Sequence, residues 1–363
     1  MISGLPPIPR NLKNKKVLLR VDFNVPIVGG RVLDDFRLSS TLPAIRMLQK
    51  KGAKTVLISH LESDGGQPSL KGIWRFLRPK IKNLRFSEAV CGSRAEKAAS
   101  NLKSGQVLLL ENLRKNPGEK NNNPAFAKAL SKLGDIYINE AFSASHRRHA
   151  SIVGITRHLP SFAGPLFKSE IKNLSLAFRP PHPFLLIVGG NKLETKTPLL
   201  KKFIKKADKI VIGGAVVVPF LFKRIKQNFS RDKIVRPRDL VILRGTEKKN
   251  IKTPELLKGD KVYDFGPESL TEIAEIAQKS RFILWNGPLG CIEGGFDSGT
   301  KALADILAGS RAKTIVGGGD TAAFLSRRKM IDKFSFVSTG GGAMLVFLAE
   351  GTLSGIEALK MKK

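Results

Sequence analysis

Short, continuous apolar runs alternate along the chain with segments that have helical periodicity. In the first half these runs begin at Val17, Lys54, Val107 and Ile136, and a second series begins at Phe184. Continuous apolar runs are typical of strands buried on both faces, and their alternation with helices is typical of parallel sheets. The second series consists of runs that begin at Phe184, Lys209, Val241, Phe282, Thr314 and Phe334. The pattern predicts an α/β fold with two parallel sheets.

A helical stretch between two proline-rich breaks separates the two series. We expect it to be the connection between two domains, because a chain of 363 residues is too long for one typical core. The predicted divisions are an N-terminal domain at 1–165, a connecting helix at 166–178 and a C-terminal domain that begins at 179. A shorter helix is predicted from Thr41 to Lys51, where Gly52 ends it.

In the first half, polar residues lie where each apolar run ends. Asp22 and Asn24 follow the first run, His60 the second, and Arg114 the third. Ligands of open α/β sheets bind at the carboxyl ends of the strands. With Arg37 and Arg147, whose positions would reach the same edge, these residues predict a rim suited to a small polyanion.

The strand ends of the second half are rich in glycine. Gly317–Gly319 and Gly340–Gly342 each stand between an apolar run and a helical segment, where free N–H groups and the positive end of the helix dipole favour an anion. Asp320 would repel a phosphate and is better suited to be the ligand of a phosphate-bound metal. No P-loop signature of glycine, four residues and Gly-Lys-Ser/Thr occurs. The two halves together suggest a compact anion in one and a nucleotide in the other.

Taken in order, these stretches resemble the phosphoglycerate kinase family over nearly the whole chain. The segments that carry the resemblance are 20–26, 59–61, 109–114, 139–142, 146–151, 189–192, 285–293, 317–321, 338–343 and 354–359. The resemblance implies two Rossmann-like parallel-sheet domains that face each other across a cleft. It also implies that the C-terminal domain ends at 345 and that the segment 346–363 returns to the N-terminal domain.

The implied activity is reversible phosphoryl transfer from 1,3-bisphosphoglycerate to ADP, which gives 3-phosphoglycerate and ATP in glycolysis and gluconeogenesis. The acid would bind the first domain, and ADP or ATP with Mg²⁺ the second. Because the carboxylate product is already ionised near neutral pH, the reaction needs no general base. The protein has to position the reactants, neutralise charge and exclude water.

The resemblance assigns roles residue by residue. The residues implied to bind the acid substrate are Asp22, Asn24, Arg37, His60, Arg114 and Arg147. Those implied to bind the nucleotide are Lys192, Lys196, Gly213, Gly214, Asn286, Glu293, Gly317, Gly318, Gly319, Asp320 and Thr321, with Asp320 also the metal ligand. The catalytic residues implied to neutralise the phosphoryl group in transfer are Arg37, Lys196, Gly340, Gly341 and Gly342.

The chain departs from the family pattern at several of these stretches. After Leu61 the family continues with Gly-Arg-Pro, whereas this chain has a different segment at 62–68, so one substrate-binding arginine is missing and Arg148 is a candidate to compensate for it. The other departures are Ser143 and Ala215 for glycine, Glu140 for aspartate and Thr195 for aspartate. We expect them to change affinity and rate more than the type of reaction.

The charge is the most unusual overall feature, because 63 Lys and Arg face only 30 Asp and Glu, for a net charge of +33. A basic surface attracts polyanions non-specifically at low salt. One alternative is therefore a homologue with weakened catalysis that binds polyanions such as RNA. Another is a dehydrogenase that uses the glycine-rich segment 317–322.

With only two cysteines, at positions 91 and 291, the sequence predicts no disulfide framework. No export signal is evident at the N-terminus, and no apolar run is long enough to cross a bilayer. The sequence predicts a cytoplasmic monomer with no membrane partner, which meets nucleic acid only through non-specific charge.

Overall fold

The computed structural model describes residues 4–29, 31–62, 68–221 and 233–360. Residues 1–3, which begin the segment that bears on an export signal, and most of the departing segment after Glu62 lie outside these ranges. The strands are β1 Lys16–Arg20, β2 Ile27–Val28, β3 Arg31–Val32, β4 Lys54–Ile58, β5 Leu84–Ser87, β6 Val107–Leu110, β7 Ile136–Asn139, β8 Ser161–Ala163, β9 Phe184–Val188, β10 Lys209–Ile212, β11 Ile234–Val235, β12 Asp239–Arg244, β13 Glu247–Lys252, β14 Val262–Phe265, β15 Phe282–Asn286, β16 Lys313–Gly317 and β17 Phe336–Val337. The helices are α1 Phe36–Lys50, α2 Lys71–Leu77, α3 Ser93–Ser100, α4 Pro124–Ser131, α5 Pro165–Ser175, α6 Leu193–Phe203, α7 Val217–Leu221, α8 Pro267–Lys279, α9 Ser298–Ala308, α10 Gly319–Arg327, α11 Gly342–Glu350 and α12 Ser354–Leu359.

The chain forms two compact units. The first comprises Met1–Lys172 with Thr352–Lys363, and the second comprises Asn173–Gly351. The division falls inside α5, the helix that the sequence predicts as the connection. Near the C-terminus, the N–H group of Gly355 in α12 donates to the carbonyl of Ser145 at 2.8 Å, which ties this helix to the first unit. None of the helices in the described ranges is long and apolar enough to span a membrane.

The first unit is built on a six-stranded parallel sheet with the order β5-β6-β4-β1-β7-β8. The central strands β1, β4, β6 and β7 are buried along almost their whole length. This is the burial that continuous apolar runs predict, because helices cover both faces of a parallel sheet. The sequence pattern did not reveal β5 and β8, which lie at the two edges and have polar or half-exposed positions.

The second unit also contains a six-stranded parallel sheet, with the order β11-β10-β9-β15-β16-β17. Numbered along the chain, these strands have the order of the dinucleotide-binding Rossmann fold, with the switch point between β9 and β15. The prediction of an α/β fold with two parallel sheets is therefore confirmed.

One predicted member of the second series is not in that sheet. The run at Val241 forms β12, which pairs antiparallel with β13 and β14 in a separate three-stranded sheet. Only Gly245 and Thr246 separate β12 from β13. A connection of two residues permits a hairpin, whereas a parallel pair needs a crossover of a dozen residues or more. Assigning this run to the parallel sheet was wrong because apolar content alone does not give strand direction.

Helix α1 begins at Phe36, five residues before the predicted start at Thr41. The hydroxyl groups near Thr41 do not cap a helix; those of Ser40 and Thr41 donate to the carbonyls of Phe36 and Arg37, four residues earlier, at 2.7 and 3.0 Å. At the real start, the Asp34 carboxylate accepts from the Phe36 N–H at 3.1 Å. The earlier start matters because it puts Arg37 in the first turn of α1.

Glu140 lies one residue beyond β7, and its buried carboxyl group accepts hydrogen bonds from the N–H groups of Leu166 at 3.0 Å and Phe167 at 3.4 Å, at the start of α5. Burial raises its pKa to about 7, although these two hydrogen bonds act in the opposite direction. Between the ordinary pKa of 4.5 and about 7, the folded protein holds a proton that the unfolded chain releases. The free energy of unfolding should therefore fall as the pH rises through this window.

We expect this group to remove roughly 2–3 kcal/mol of stability between pH 4.5 and pH 8. In Glu140→Gln this loss should be absent. The free energy of unfolding of the variant should therefore increase relative to that of the wild type as the pH rises. Urea denaturation at a series of pH values measures the difference. Parallel pH profiles for the two proteins would show that Glu140 titrates normally in the folded state.

Candidate functional site

Three of the predicted acid-binding residues, Asp22, Asn24 and His60, lie at the carboxyl ends of β1 and β4, which are neighbours in the first sheet. Asp22 follows β1, and its Oδ2 atom is 3.3 Å from Nη1 of Arg37. The same Arg37 nitrogen donates to the carbonyl of Asn24 at 2.9 Å. Ser143, beyond β7, donates from its hydroxyl group to Asp22 Oδ2. Nδ1 of His60, beyond β4, is 3.8 Å from Asp22 Oδ1. The ends of β1, β4 and β7 and the first turn of α1 thus converge on one carboxylate.

Asp22 is ionised in this environment. Burial by itself would raise its pKa, but the charge of Arg37, the neighbouring His60 and the Ser143 hydrogen bond together lower the pKa to about 2. The carboxylate can therefore hold the Arg37 guanidinium in one orientation and still accept a hydrogen bond from a ligand hydroxyl group.

His60 is buried, and its Nδ1 atom is 3.0 Å from Nη2 of Arg20. Burial lowers the pKa of His60 well below its ordinary value, and the Arg20 charge lowers it further. Because Arg20 has only donors, Nδ1 is the acceptor and the proton of the neutral ring is on Nε2. His60 is thus an uncharged hydrogen-bond donor at neutral pH.

Arg20 was missed as a structural partner of the site, since the sequence places it inside an apolar strand. Its side chain is fully buried, and Nε donates to the Ser151 hydroxyl group at 2.9 Å. Ser151 in turn donates to the buried Glu119 carboxylate at 2.6 Å. These contacts hold Arg20 behind His60, and only the tertiary structure brings positions so far apart together.

Arg114 and Arg147 lie beside the carboxylate of Glu62, a contact that the sequence did not predict. Arg114 Nη2 is 3.1 Å and Arg147 Nη1 is 3.6 Å from Oε1 of Glu62. The N–H group of Glu62 donates to Asn24 Oδ1 at 2.9 Å, which joins this pair to the Asp22 group. Arg148, suggested above as a compensating residue, is exposed. The structure therefore brings all six predicted acid-side residues to one edge of the first sheet.

The second unit has a cavity of about 370 Å³ at the switch point of its sheet. Loops that follow β9, β15 and β16 and the first turns of α6, α10 and α11 form its wall. Of the predicted residues, those that line it are Lys192, Lys196, Asn286, Glu293, Gly318, Gly319, Asp320, Thr321, Gly341 and Gly342. The wall also contains Gly190, Asn191, Thr195, Gly287, Pro288 and Leu345, most of which are sequence neighbours of the predicted residues.

Lys196 is the cation at the inner side of this cavity. It lies in the first turn of α6, is nearly buried, and donates from Nζ to Oδ1 of Asn286, the last residue of β15. Burial lowers its pKa to about 8, while the charge of Asp320 opposes that shift. A lysine with so little water around it interacts strongly with any anion that enters.

Four of the predicted glycines have one of two roles, at a helix start or in close packing. Gly318 and Gly341 are the N-cap residues of α10 and α11, with φ values of +102° and +51°, and neither has a side chain that could occupy the N–H groups of the first turn. These helix starts can receive an anion. Gly213 and Gly317 have a packing role instead, because a Cβ atom there would overlap Leu289 and Met344. The N–H group of Gly340 donates to the Ser338 hydroxyl group at 3.0 Å.

A metal at this cavity would have to share its ligands with a bound molecule. Asp320 is exposed at the second residue of α10, and the hydroxyl oxygen of the next residue, Thr321, is buried with no hydrogen-bond partner among the described residues. Across the described ranges, no group of three or more His, Cys, Asp or Glu side chains could hold a metal ion. One carboxylate and a hydroxyl group fit a hard cation such as Mg²⁺ that arrives with phosphate oxygens.

A smaller cavity of about 270 Å³ shares Asn191 with the first. Its wall contains Gly214, Ala215, Val218, Tyr263 and Cys291. Tyr263 belongs to β14 of the antiparallel sheet, and its ring lies 4.6 Å from that of Phe296. The largely apolar wall suits a flat ring system. The antiparallel sheet thus contributes to this cavity. The sequence pattern did not reveal Tyr263 because it assigned β12, the neighbour of β14, to the parallel sheet.

The second unit has a Rossmann-type sheet with a glycine-rich cavity that contains lysine. The first unit has a parallel sheet with an arginine-rich edge. These features define an α/β protein that binds anions. A family model described as phosphoglycerate kinase matches residues 9–229 and 222–351. The chain belongs to the phosphoglycerate kinase family. It is accordingly a kinase of glycolysis, a transferase of phosphoryl groups.

Individual relatives agree with this assignment over nearly the full chain. A phosphoglycerate kinase of Coprothermobacter proteolyticus is 40% identical, with 96% of each chain covered, and one of Fervidobacterium nodosum is 40% identical, with 97% of each covered. A solved phosphoglycerate kinase from Pyrococcus horikoshii OT3 matches with a TM-score of 0.86 and 30% identity over 96% of both chains. One from Coxiella burnetii matches with a TM-score of 0.79 and 32% identity over 96% of this chain and 97% of that one. These matches give no support to the alternative of an RNA-binding homologue, and the family assignment displaces the dehydrogenase.

Proposed function

We propose that this chain catalyses the reversible transfer of a phosphoryl group from 1,3-bisphosphoglycerate to ADP, which gives 3-phosphoglycerate and ATP. The observation that carries the proposal is the nearly buried Lys196 in a cavity whose wall includes two glycine-capped helix starts and Asp320. Lys196 and the two helix starts provide the positive potential that a nucleotide's phosphates need, and Asp320 is suited to a cation that accompanies those phosphates.

On the first unit, we assign acid binding to Asp22, Asn24, Arg37, His60, Arg114 and Arg147. The arginines neutralise the carboxylate and phosphate of the substrate. Ionised Asp22 and neutral His60 accept from and donate to its hydroxyl group, which fixes the orientation of the acid. The assignment rests on the convergence of these side chains at one sheet edge.

On the second unit, we place the phosphates against Lys192, Lys196 and the starts of α10 and α11. The nucleotide base fits the apolar cavity beside Gly214 and Tyr263, and Glu293 lies in the wall where the ribose hydroxyls would pass. Asp320 would hold Mg²⁺, which neutralises part of the phosphate charge when it is bound. Of the predicted nucleotide residues, Gly213 and Gly317 keep the neighbouring backbone and side chains close-packed.

The reaction requires the protein mainly to position the two substrates and to neutralise the charge of the phosphoryl group. Transfer from the acyl phosphate releases a carboxylate, so no side chain has to remove a proton. Arg37 and Lys196 are proposed to neutralise the phosphoryl group in transfer, and the N–H groups of Gly341 and Gly342 to stabilise its oxygens. We further propose that the protein acts as a monomer in the cytoplasm.

A coupled assay of ATP-dependent phosphorylation of 3-phosphoglycerate tests the proposal. The purified protein should turn over with saturation in both substrates and with a requirement for Mg²⁺. Absence of turnover by a folded protein that also fails to bind 3-phosphoglycerate in calorimetry would contradict the assignment.

Asp320→Asn should raise the Mg²⁺ concentration needed for half-maximal rate, on the order of tenfold or more, because one charged ligand is replaced by a neutral one. The measurement is a Mg²⁺ titration of the initial rate at fixed ATP. Asp332→Asn, an exposed carboxylate in the same unit, is the matched control. An unchanged Mg²⁺ requirement in Asp320→Asn would remove this residue from the metal site.

A further inference from the structure

A carboxylate already lies on two arginines of the acid site. Glu62 Oε1 is within 3.1 Å of Arg114 and 3.6 Å of Arg147, and the Glu62 main chain is held by the hydrogen bond to Asn24. A carboxylate at this position has the charge and the acceptor geometry that an anionic substrate group would present to the same two guanidinium groups.

The two arginines need a counter-charge when no substrate is bound. The Arg114 side chain is only 4% exposed, and its Nε and Nη1 atoms have no hydrogen-bond partner among the described residues. Burial lowers the pKa of Arg114, and Glu62 is the strongest influence that opposes this shift, whereas Arg147 and Arg20 reinforce it. His146 and His149 on the neighbouring segment also have lowered pKa values, from burial first and then from nearby arginines, and so add little positive charge at neutral pH.

We propose that Glu62 is an internal competitor for the anion site of Arg114 and Arg147, which the substrate must displace in order to bind. This inference rests on the proposed function, because it takes the acid substrate as the competing anion. With 39% of its side chain exposed, Glu62 can rotate into water without disturbing the core. The freed guanidinium nitrogens, Nη2 of Arg114 and Nη1 of Arg147, then receive the substrate.

The inference predicts two opposite effects of removing the charge. Glu62→Gln should bind anions more tightly, because nothing competes for the arginines. The same variant should be less stable without ligand, because two guanidinium groups then face each other with less compensation. An ordinary surface ion pair would produce neither change in anion binding nor a stability loss that an anion repairs.

The test uses inorganic phosphate as a probe in calorimetry, and 3-phosphoglycerate in calorimetry and steady-state kinetics. In Glu62→Gln the Kd for phosphate and the KM for 3-phosphoglycerate should fall roughly three- to tenfold, and the KM for ATP should stay unchanged. Its melting temperature should be lower than that of the wild type in phosphate-free buffer and approach it as phosphate is added. The matched control is Glu88→Gln, because Glu88 forms an exposed ion pair with Lys71 at 3.6 Å in the same unit.

The outcomes separate this inference from the proposed function. If the wild type turns over and Glu62→Gln binds both anions no more tightly than the wild type, or less tightly, the competitor role is refuted and the kinase assignment is unaffected. If phosphate binds more tightly to Glu62→Gln but no turnover is seen in either protein, the competitor role holds and the proposed reaction fails.

Discussion

Lys196→Ala is expected to lower kcat by about 10²–10³, the loss typical when one positioned charge is removed from a transition state. The reason is that Lys196 is nearly buried in the glycine-rich cavity, where water screens its charge poorly. The KM for ATP should change less than kcat, because the remaining donors of the cavity still bind the ground-state phosphates. Steady-state kinetics in the coupled assay separate the two constants.

The matched control is Lys201→Ala, an exposed lysine on the same helix α6, which should keep wild-type rates. Equal losses in both variants would point to damage to α6 and not to a role in transfer. The dependence of kcat/KM on pH provides a second test. Because the pKa of Lys196 is about 8 in the ligand-free protein, kcat/KM for the nucleotide should decline as the pH rises above 8. Lys196→Arg should be slower but should lack this decline, since its guanidinium stays charged.

Arg37→Ala is expected to lower kcat about a hundredfold, again through the loss of a positioned charge. Arg37 is bound to the Asn24 carbonyl and lies beside the Asp22 carboxylate, so its guanidinium is already oriented in the ligand-free protein. The loss should also raise the pKa of Asp22, because Arg37 is the first of the groups that lower it against the effect of burial. Stability at neutral pH should fall as well, because the buried Asp22 carboxylate then lacks its main counter-charge.

Arg37→Lys, which keeps the charge but not the planar fork of donors, should have intermediate activity. The matched control is Arg46→Ala, an exposed arginine on the same helix α1. A kcat within threefold of the wild type for Arg37→Ala would exclude a direct role in transfer. A large increase in the KM for 3-phosphoglycerate with kcat intact would restrict Arg37 to substrate binding.

Glu62 shows how a departure from a family pattern can be understood only in three dimensions. The sequence indicates that the chain lacks an arginine next to Glu62, from which weaker acid binding is expected. The structure adds that Glu62 itself lies against two of the arginines that remain. The missing arginine and the competing Glu62 carboxylate should both weaken binding of the acid. Glu62→Gln tests the effect of the carboxylate separately.

Much of this protein follows from the sequence alone. Continuous apolar runs determine which segments become central strands, because a strand covered on both faces has to be apolar throughout. Polar and glycine residues after those runs identify the ligand-binding edge of each sheet, since parallel strands bring their carboxyl ends together. The ordered motifs then give the family, which the full-length relatives confirm.

The tertiary structure alone decided the features that depend on residues distant in sequence. Strand direction at Val241 depends on the partners that β12 finds, and that sheet brings Tyr263 to the second cavity. The contact of Glu62 with Arg114 and Arg147, and the buried Arg20 behind His60, likewise join distant positions. The lowered pKa of Lys196 results from burial, which no local pattern measures. A sequence records which groups are available, whereas their distances and the water around them exist only in the folded chain.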